Sequence, residues 1–124
     1  MNNLRIIKEN SDKIQLTLYN DDELYRLGDN EYIVFTVRKN INDKNYLIRK
    51  KVTSDDFDRD NQYYPIPILP SDTENIEIPT IKDDVYCIYD ITLYDEENPD
   101  FEKTLYRGNF VVSWRASKGS DADE

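Results

Sequence analysis

The chain has 124 residues, of which 38% are hydrophobic and 34% charged, and its formal net charge is −10 at pH 7. These values are typical of a single acidic globular domain with a modest core. The chain lacks a run of about 18 apolar residues, which excludes a transmembrane helix, and its first residues predict no secretory signal. It has no histidine and one cysteine, so the usual catalytic triads, most zinc sites and an internal disulfide are excluded.

The charge is divided unequally along the chain. Residues 1–52 contain 10 basic and 8 acidic residues, a net charge of +2, whereas residues 53–124 contain 6 basic and 18 acidic residues, a net charge of −12. The overall acidity argues against a nucleic-acid partner, because nucleic-acid binders concentrate Lys and Arg. It argues equally against an anionic membrane. We therefore expect a protein partner or a divalent cation.

Alternating apolar residues dominate the first half of the chain and predict β-strands. The first strands are expected at residues 4–8, 14–18 and 33–37, and the second and third of these are expected to have one face in the core. Residues 38–45 are rich in Asn and Asp, so the chain should reverse there and return along residues 46–52. That return carries Arg49, Lys50 and Lys51, too many charges for a central strand, and is predicted to be an edge strand.

The middle of the chain is rich in proline. Within residues 63–70, the apolar Tyr64, Ile66 and Ile68 are expected on one side, with Pro65 and Pro67 on the other. Since proline cannot donate to a ladder, this segment is predicted to be an edge strand or an extended loop. Residues 71–74 have the spacing of a capping box and predict one helical turn that starts at Ser71.

The last part of the chain predicts a β-hairpin. Cys87 begins an alternation that continues to residue 93, and its mixed second face predicts a central strand. An acidic turn is expected over residues 95–100, followed by a closing strand over residues 103–114, in which Gly108 predicts a bulge. About seven strands separated by polar turns indicate an all-β, immunoglobulin-like antiparallel β-sandwich over residues 1–115. Residues 116–124 predict a flexible acidic tail.

One acidic segment has the spacing of calcium ligands. Asp56, Asp58 and Asp60 alternate as in an EF-hand loop, but Asn61 and Pro67 occupy the positions of the required glycine and bidentate glutamate. A solvated acidic turn is therefore the favoured interpretation, and the same holds for the acidic residues of the segment 95–102.

No other pattern predicts chemistry. Pairs of carboxylates carry no information in a chain with 26 acidic residues. Cys87 is expected on an inward face as an inert, packed thiol, and Trp114 in the core rather than as a sugar-stacking platform. The sequence predicts no catalytic residue, no metal site and no cofactor, and hence no enzyme.

Surface tyrosines and a basic hairpin are the better indication of binding. Tyr19, Tyr32, Tyr86 and Tyr106 are expected on faces opposite the core, where tyrosine favours interfaces. Cross-strand pairs on a solvated sheet are an equally good interpretation. The candidate docking surface consists of these four tyrosines and six basic residues, Arg38, Lys39, Lys44, Arg49, Lys50 and Lys51. Unlike surfaces at different ends would suit heterologous contacts, including homo-oligomers.

Several strands resemble those of a known family. The motif Tyr-Asp-Ile-x-Leu at residues 89–93 and the motif Leu-x-x-Gly-x-Phe-x-Val at residues 105–112 are the most specific, and residues 4–7, 14–18 and 33–39 extend the match. The chain resembles the N-terminal immunoglobulin-like domain of baseplate upper proteins from phages of Gram-positive bacteria, also found in related tail-like particles.

The resemblance implies a structural assembly domain without catalytic residues. In the family this domain docks onto the baseplate core, and a C-terminal extension carries the receptor-binding machinery. Here an acidic tail follows Trp114, which favours a small connector, decoration or baseplate subunit. Its partners would be other tail or baseplate proteins, and it would be made in the bacterial host cytoplasm and located in the virion tail. The alternative is a carbohydrate-binding sandwich that recognises host surface sugars through tyrosines or Trp114.

Overall fold

Strands account for most of residues 3–79 and 84–114, which the computed structural model describes. They are β1 (Leu4–Ile7), β2 (Asp12–Leu16), β3 (Tyr19–Asn20), β4 (Glu23–Leu24), β5 (Glu31–Arg38), β6 (Ile48–Thr53), β7 (Tyr64–Ile68), β8 (Asp84–Asp95) and β9 (Asn98–Ser113). A 3-10 turn (Ser54–Asp56) follows β6, and one helical turn, α1 (Pro70–Thr73), follows β7. The predicted tail falls outside the described residues. No helix of the described chain is long and apolar enough to cross a membrane.

The strands form the two layers of an all-β sandwich. One sheet has the order β1-β9-β8-β5-β6, and the opposite layer pairs β2 with β7. All seven predicted strands are present, and the predicted all-β sandwich is confirmed. The pairs are antiparallel except β1 with β9, which is parallel. The short hairpin of β3 and β4 was not predicted, because two-residue exposed strands have no apolar alternation.

The core lies between the two layers. Phe35 of β5 packs against Tyr89 and Phe110 of the same sheet, with ring centroids 5.8 Å and 6.0 Å apart. Tyr64 of β7 is buried from the opposite layer, and its hydroxyl accepts the backbone N–H of Leu27 at 2.8 Å. Cys87 is buried on the inward face, as predicted. The alternating apolar residues of both layers are thus buried between the layers.

Strand positions agree with the sequence in most respects. Strand β6 lies at the edge of the five-stranded sheet and β8 at its centre, and the proline-containing β7 pairs with β2 alone among the described strands. Strand β5 differs from the expectation of one buried face, because Val34 and Thr36 on its outer side are also buried. Strands β6 and β8 flank β5, so side chains of both neighbours cover that outer side.

The predicted bulge at Gly108 is wrong. Gly108 pairs regularly with Tyr89, and the register shifts instead between the pairs Ile91↔Tyr106 and Thr92↔Thr104, leaving Leu105 without a partner residue. Leu105 and Tyr106 are consecutive yet both pack against the core. A bulge at this point is what allows two neighbouring side chains to face the same side.

Two turns also differ in position. Helix α1 begins at Pro70, not at Ser71, and Asp72 accepts the backbone N–H of Leu69 at 2.7 Å. Because proline favours the first helical position, the N-cap is Leu69, two residues before the predicted Ser71. The β8–β9 turn consists of residues 96 and 97 rather than 95–100. The register jumps from Tyr94↔Glu102 to Asp95↔Asn98, so residues 99–101 project from the ladder.

Candidate docking surfaces

The ten predicted docking residues do not form one surface. Arg38, Tyr32 and Tyr86 lie with Arg49 and Lys51 on the outer side of the five-stranded sheet. Lys39 and Lys44 are exposed in the β5–β6 loop. The remaining residues, Tyr19, Tyr106 and Lys50, lie elsewhere, as the contacts below describe.

Lys50 points to the core side of the edge strand. It lies between Ile48 and Val52, which are buried, and opposite Phe35. Its ammonium reaches across the open edge to the Asp72 carboxylate at 2.8 Å. This ion pair joins the edge of the large sheet to α1, so the Lys50 side chain serves the fold and does not contribute to an outward basic surface.

Tyr106 also faces the core side, contrary to expectation. It is four residues from Phe110 with no register shift between them, so both side chains lie on the same face. The Tyr106 hydroxyl donates to the backbone carbonyl of Thr17 at 3.4 Å. Tyr106 therefore forms part of the floor beneath the β3–β4 hairpin.

Aromatic and charged side chains on the outer side of the sheet pair with one another. Tyr32 and Tyr94 stack with ring centroids 5.2 Å apart, and the Lys51 ammonium lies 4.4 Å from the Tyr32 ring centroid. The Tyr94 hydroxyl donates to Glu102 at 3.0 Å. Burial, followed by this bond to Glu102, raises the pKa of Tyr94. These contacts are the cross-strand pairs of a solvated sheet.

A second set of pairs lies at the β1 side of the same face. The Arg5 guanidinium is 2.9 Å from both Asp84 and the Ser113 hydroxyl, which in turn donates to Asp84 at 2.7 Å. Bonds from Ser113 and then Arg5 hold the pKa of Asp84 below its ordinary value. Arg38 lies 3.6 Å from Asp90. Charges on the outer face are therefore largely neutralised by their own neighbours.

A groove of about 340 Å³ opens beside the β3–β4 hairpin. Its lining is mostly aromatic and aliphatic, with a few polar groups: Leu18, Tyr19, Asn20, Tyr25, Glu31, Leu93, Phe101, Lys103, Leu105 and Tyr106. Tyr19 is 64% exposed and Phe101 36% exposed at its mouth. This size and composition suit one or two inserted side chains or a small ligand. Sequence reasoning missed the groove because separate strands supply its walls.

One carboxylate in the groove is held in place. Glu31 accepts the Tyr25 hydroxyl at 2.5 Å and the backbone N–H of Gly28 at 2.8 Å. The bond to Glu31, with burial as the second cause, raises the pKa of Tyr25 to about 12. The Tyr25 hydroxyl therefore stays protonated at neutral pH and orients the acidic group at the groove wall.

Acidic side chains surround this end of the sandwich. Glu31 and Asp95 are paired across β5 and β8. Asn30 is bonded to the β8–β9 turn, because its side chain donates to Glu97 and its carbonyl accepts the Glu96 N–H. We call the groove, together with the carboxylates of the adjoining turns and strand ends, the acidic end. These carboxylates belong to Asp21, Asp22, Glu23, Asp29, Glu31, Asp95, Glu96, Glu97, Asp100 and Glu102.

The β5–β6 loop, residues 39–47, forms the opposite end of the same strands and is called the basic loop. A turn closes it, in which Asp43 N–H donates to the Asn40 carbonyl at 3.0 Å and Asn40 N–H donates to the Asp43 carboxylate at 3.1 Å. Ile41 is 52% exposed at this turn and Tyr46 is 55% exposed. The loop thus presents Ile41 between the cationic Lys39 and Lys44, and Tyr46 just after Lys44.

The two ends are electrostatically separate. Strand β5 runs from Glu31 at the acidic end to Arg38 at the basic loop over 8 residues, which corresponds to about 26 Å. This length is roughly three times the ~8 Å Debye length of physiological salt. A charged partner approaching one end is therefore screened from the other.

The acidic segment 56–60 caps turns. The Asp58 carboxylate accepts the N–H groups of Asp60 and Asn61 and the Asn61 amide, and these bonds, the Asn61 side chain first, lower the pKa of Asp58. Asp56 accepts the Thr53 N–H at 2.8 Å. Within residues 3–79 and 84–114 no group of three or more His, Cys, Asp or Glu side chains is placed to hold a metal ion.

Cys87 and Trp114 are both integrated into the packing. Burial raises the pKa of the Cys87 thiol, which suits a packed side chain rather than a nucleophile. Trp114 packs against the core, as predicted, although it is only partly buried. The Lys8 ammonium lies 4.6 Å from the centroid of its ring. Lys8 also donates to the Ile76 carbonyl at 2.7 Å. Lys8 therefore contacts both the Trp114 ring and the segment that follows α1.

A scan against protein-family models finds no matching family, and a search of curated proteins finds no match either. The surfaces themselves therefore provide the argument for function.

Proposed function

We propose that the chain is a structural, non-catalytic docking module of a phage tail baseplate or tail-like particle, which binds other tail or baseplate proteins. The observation that carries this proposal is the presence of two unlike ends on one sandwich. One end combines an apolar groove with carboxylates, and the other combines exposed apolar residues with lysines. Interfaces combine apolar anchors with complementary charge in this way.

The all-β sandwich is compatible with the phage assignment and the sequence resemblance supports it, and a location in the virion tail follows from that assignment. In such a particle the module would connect neighbours through its ends while the paired outer face stays solvated. Heterologous contacts of this kind build rings or stacked arrays.

Co-purification with tail proteins encoded beside the gene tests the proposal. Lys44→Glu is expected to weaken capture of an acidic-surfaced partner by about tenfold, because it reverses charge in the basic loop. Arg59→Glu is the matched control, since it makes the same change in net charge in the loop between β6 and β7. A chain that captures none of these tail proteins, or equal losses in both variants, would refute it.

The groove favours one second candidate, a carbohydrate-binding module. Tyr19 and Phe101 expose ring surface at its mouth, and Glu31 and Lys103 supply polar groups. Calorimetry against a panel of host cell-wall polysaccharides, with Tyr19→Ala as the variant, tests this candidate. Binding that disappears in the variant would favour it, and absence of heat for every polysaccharide would exclude it for that panel.

A further inference from the structure

Leu69 beside α1 and Tyr86 on the outer face are exposed too, but six of the eight large apolar residues that are exposed in the described chain lie at the two ends of the sandwich. At the acidic end these are Tyr19, Leu24 and Phe101, and in the basic loop they are Ile41, Tyr46 and Leu47. Carboxylates predominate around the first set, although Lys103 also lines the groove, and the second set lies near Lys39 and Lys44, with Asp43 bonded to Asn40 inside the loop. The two ends therefore match each other in both properties that make an interface, apolar area and charge.

We infer that the acidic groove binds the basic loop of a second copy of the same chain, in a head-to-tail contact. This inference rests on the docking role proposed above and names a partner for it. Ile41 at the turn is the apolar group best placed to enter the groove, with Lys39 and Lys44 facing the carboxylates of the rim. Tyr19 and Phe101 at the groove mouth would cover the inserted loop.

The loop is ordered before it binds. The reciprocal bonds between Asn40 and Asp43 close its turn, and the Leu47 N–H donates to the Val37 carbonyl at 2.7 Å where β6 begins. The groove is also preformed, because Glu31 is held by Tyr25 and Gly28. Preorganisation on both sides lowers the entropic cost of association.

The basic loop of one copy cannot reach the groove of the same copy. The loop and the groove lie at opposite ends of β5, about 26 Å apart, so the contact requires a second molecule. Each docking event leaves one groove and one loop unoccupied, and addition continues until a ring closes or a filament grows. Because every copy carries a net charge of −10, whole-molecule repulsion opposes this growth and the local match must provide the attraction.

Sedimentation velocity of two complementary variants tests the inference. Tyr19→Lys blocks the groove and Ile41→Glu blocks the loop, and both positions are exposed. Wild-type chain is expected to form larger species as its concentration approaches about 1 mM, and each variant to associate about tenfold more weakly. An equimolar mixture is expected to form dimers and nothing larger, since one intact loop meets one intact groove.

Tyr86→Lys is the matched control, because Tyr86 is 60% exposed on the paired outer face, and it should associate like the wild type. Thermal melting by circular dichroism establishes that each variant folds. A monomeric wild type at about 1 mM, a mixture that stays monomeric, or an equal loss in the control would overturn the inference. A wild-type monomer that still captures tail proteins would leave the proposed function standing, whereas self-association without such capture would refute the proposed function alone.

Discussion

The outer face of the large sheet and the two ends of the sandwich use similar residues in opposite ways. On the outer face Arg5, Arg38 and Lys51 each lie beside a carboxylate or a tyrosine ring of a neighbouring strand. At the ends, one sign of charge predominates around exposed apolar groups: carboxylates around the groove, which Lys103 also lines, and Lys39 and Lys44 in the basic loop, which also contains Asp43. A count of tyrosines and lysines therefore does not locate a docking surface. What distinguishes the ends is that exposed apolar groups lie beside a local excess of one charge, even though Glu96 at the acidic end lies 4.0 Å from Lys51.

This comparison predicts that the paired charges affect stability and leave docking unchanged. The largest effect is expected for Asp72, which accepts the Leu69 N–H and the Lys50 ammonium. Asp72→Ala removes the cap of α1 and leaves Lys50 without its carboxylate, so the free energy of unfolding should fall by about 1–2 kcal/mol. Urea denaturation measures it, with the neighbouring exposed Glu74→Ala as control. Equal stability of the two variants would contradict the assigned role.

A smaller effect is expected for the cation above Tyr32. Lys51→Ala removes the ammonium 4.4 Å from the ring, and an exposed cation–π contact contributes about 0.5 kcal/mol. The same urea experiment measures the loss against Arg59→Ala. Docking of the variant should match that of the wild type. A tenfold loss of docking with unchanged stability would move the outer face into the binding surface.

The smallest effect is expected from Asp84 and is visible as a pH dependence. Bonds from Ser113 and Arg5 lower the pKa of Asp84 in the folded chain. Its contribution to stability is therefore present above the ordinary carboxyl pKa of about 4 and lost as the pH falls through the folded value. The difference in unfolding free energy between wild type and Asp84→Asn should shrink from about pH 5 to about pH 2. A constant difference would show that the carboxylate charge plays no part.

Much of the sandwich was predictable because burial enforces a period of two. Ile33, Phe35 and Val37 on β5, and Cys87, Tyr89 and Ile91 on β8, are buried as their alternation indicates. The same rule could have located Lys50, since it lies between Ile48 and Val52 on one face. The bulge at Leu105 was not predictable from Gly108, because a glycine permits an irregularity without requiring it.

The candidate surfaces were predictable only in part. The basic loop is continuous in sequence, so its charge was evident from residues 38–45. The groove is assembled from β3, the start of β5, the end of β8 and the displaced part of β9, and this combination depends on the topology. Tyr19 was the one groove residue among the predicted tyrosines that faces solvent there. Phe101 gave no signal because it directly follows the predicted acidic turn and stands between Asp100 and Glu102.

Concentration-dependent NMR of the isotopically labelled wild-type chain tests the central claim most directly. Amide shifts should move with concentration at Tyr19 and Phe101 of the groove and at Ile41 and Tyr46 of the basic loop, while Tyr86 on the paired outer face stays constant. Tail proteins captured by the chain should shift the same two ends when they are added unlabelled. Shifts centred on Tyr86 and the outer face, with both ends unchanged, would contradict the claim that this sandwich docks through its ends.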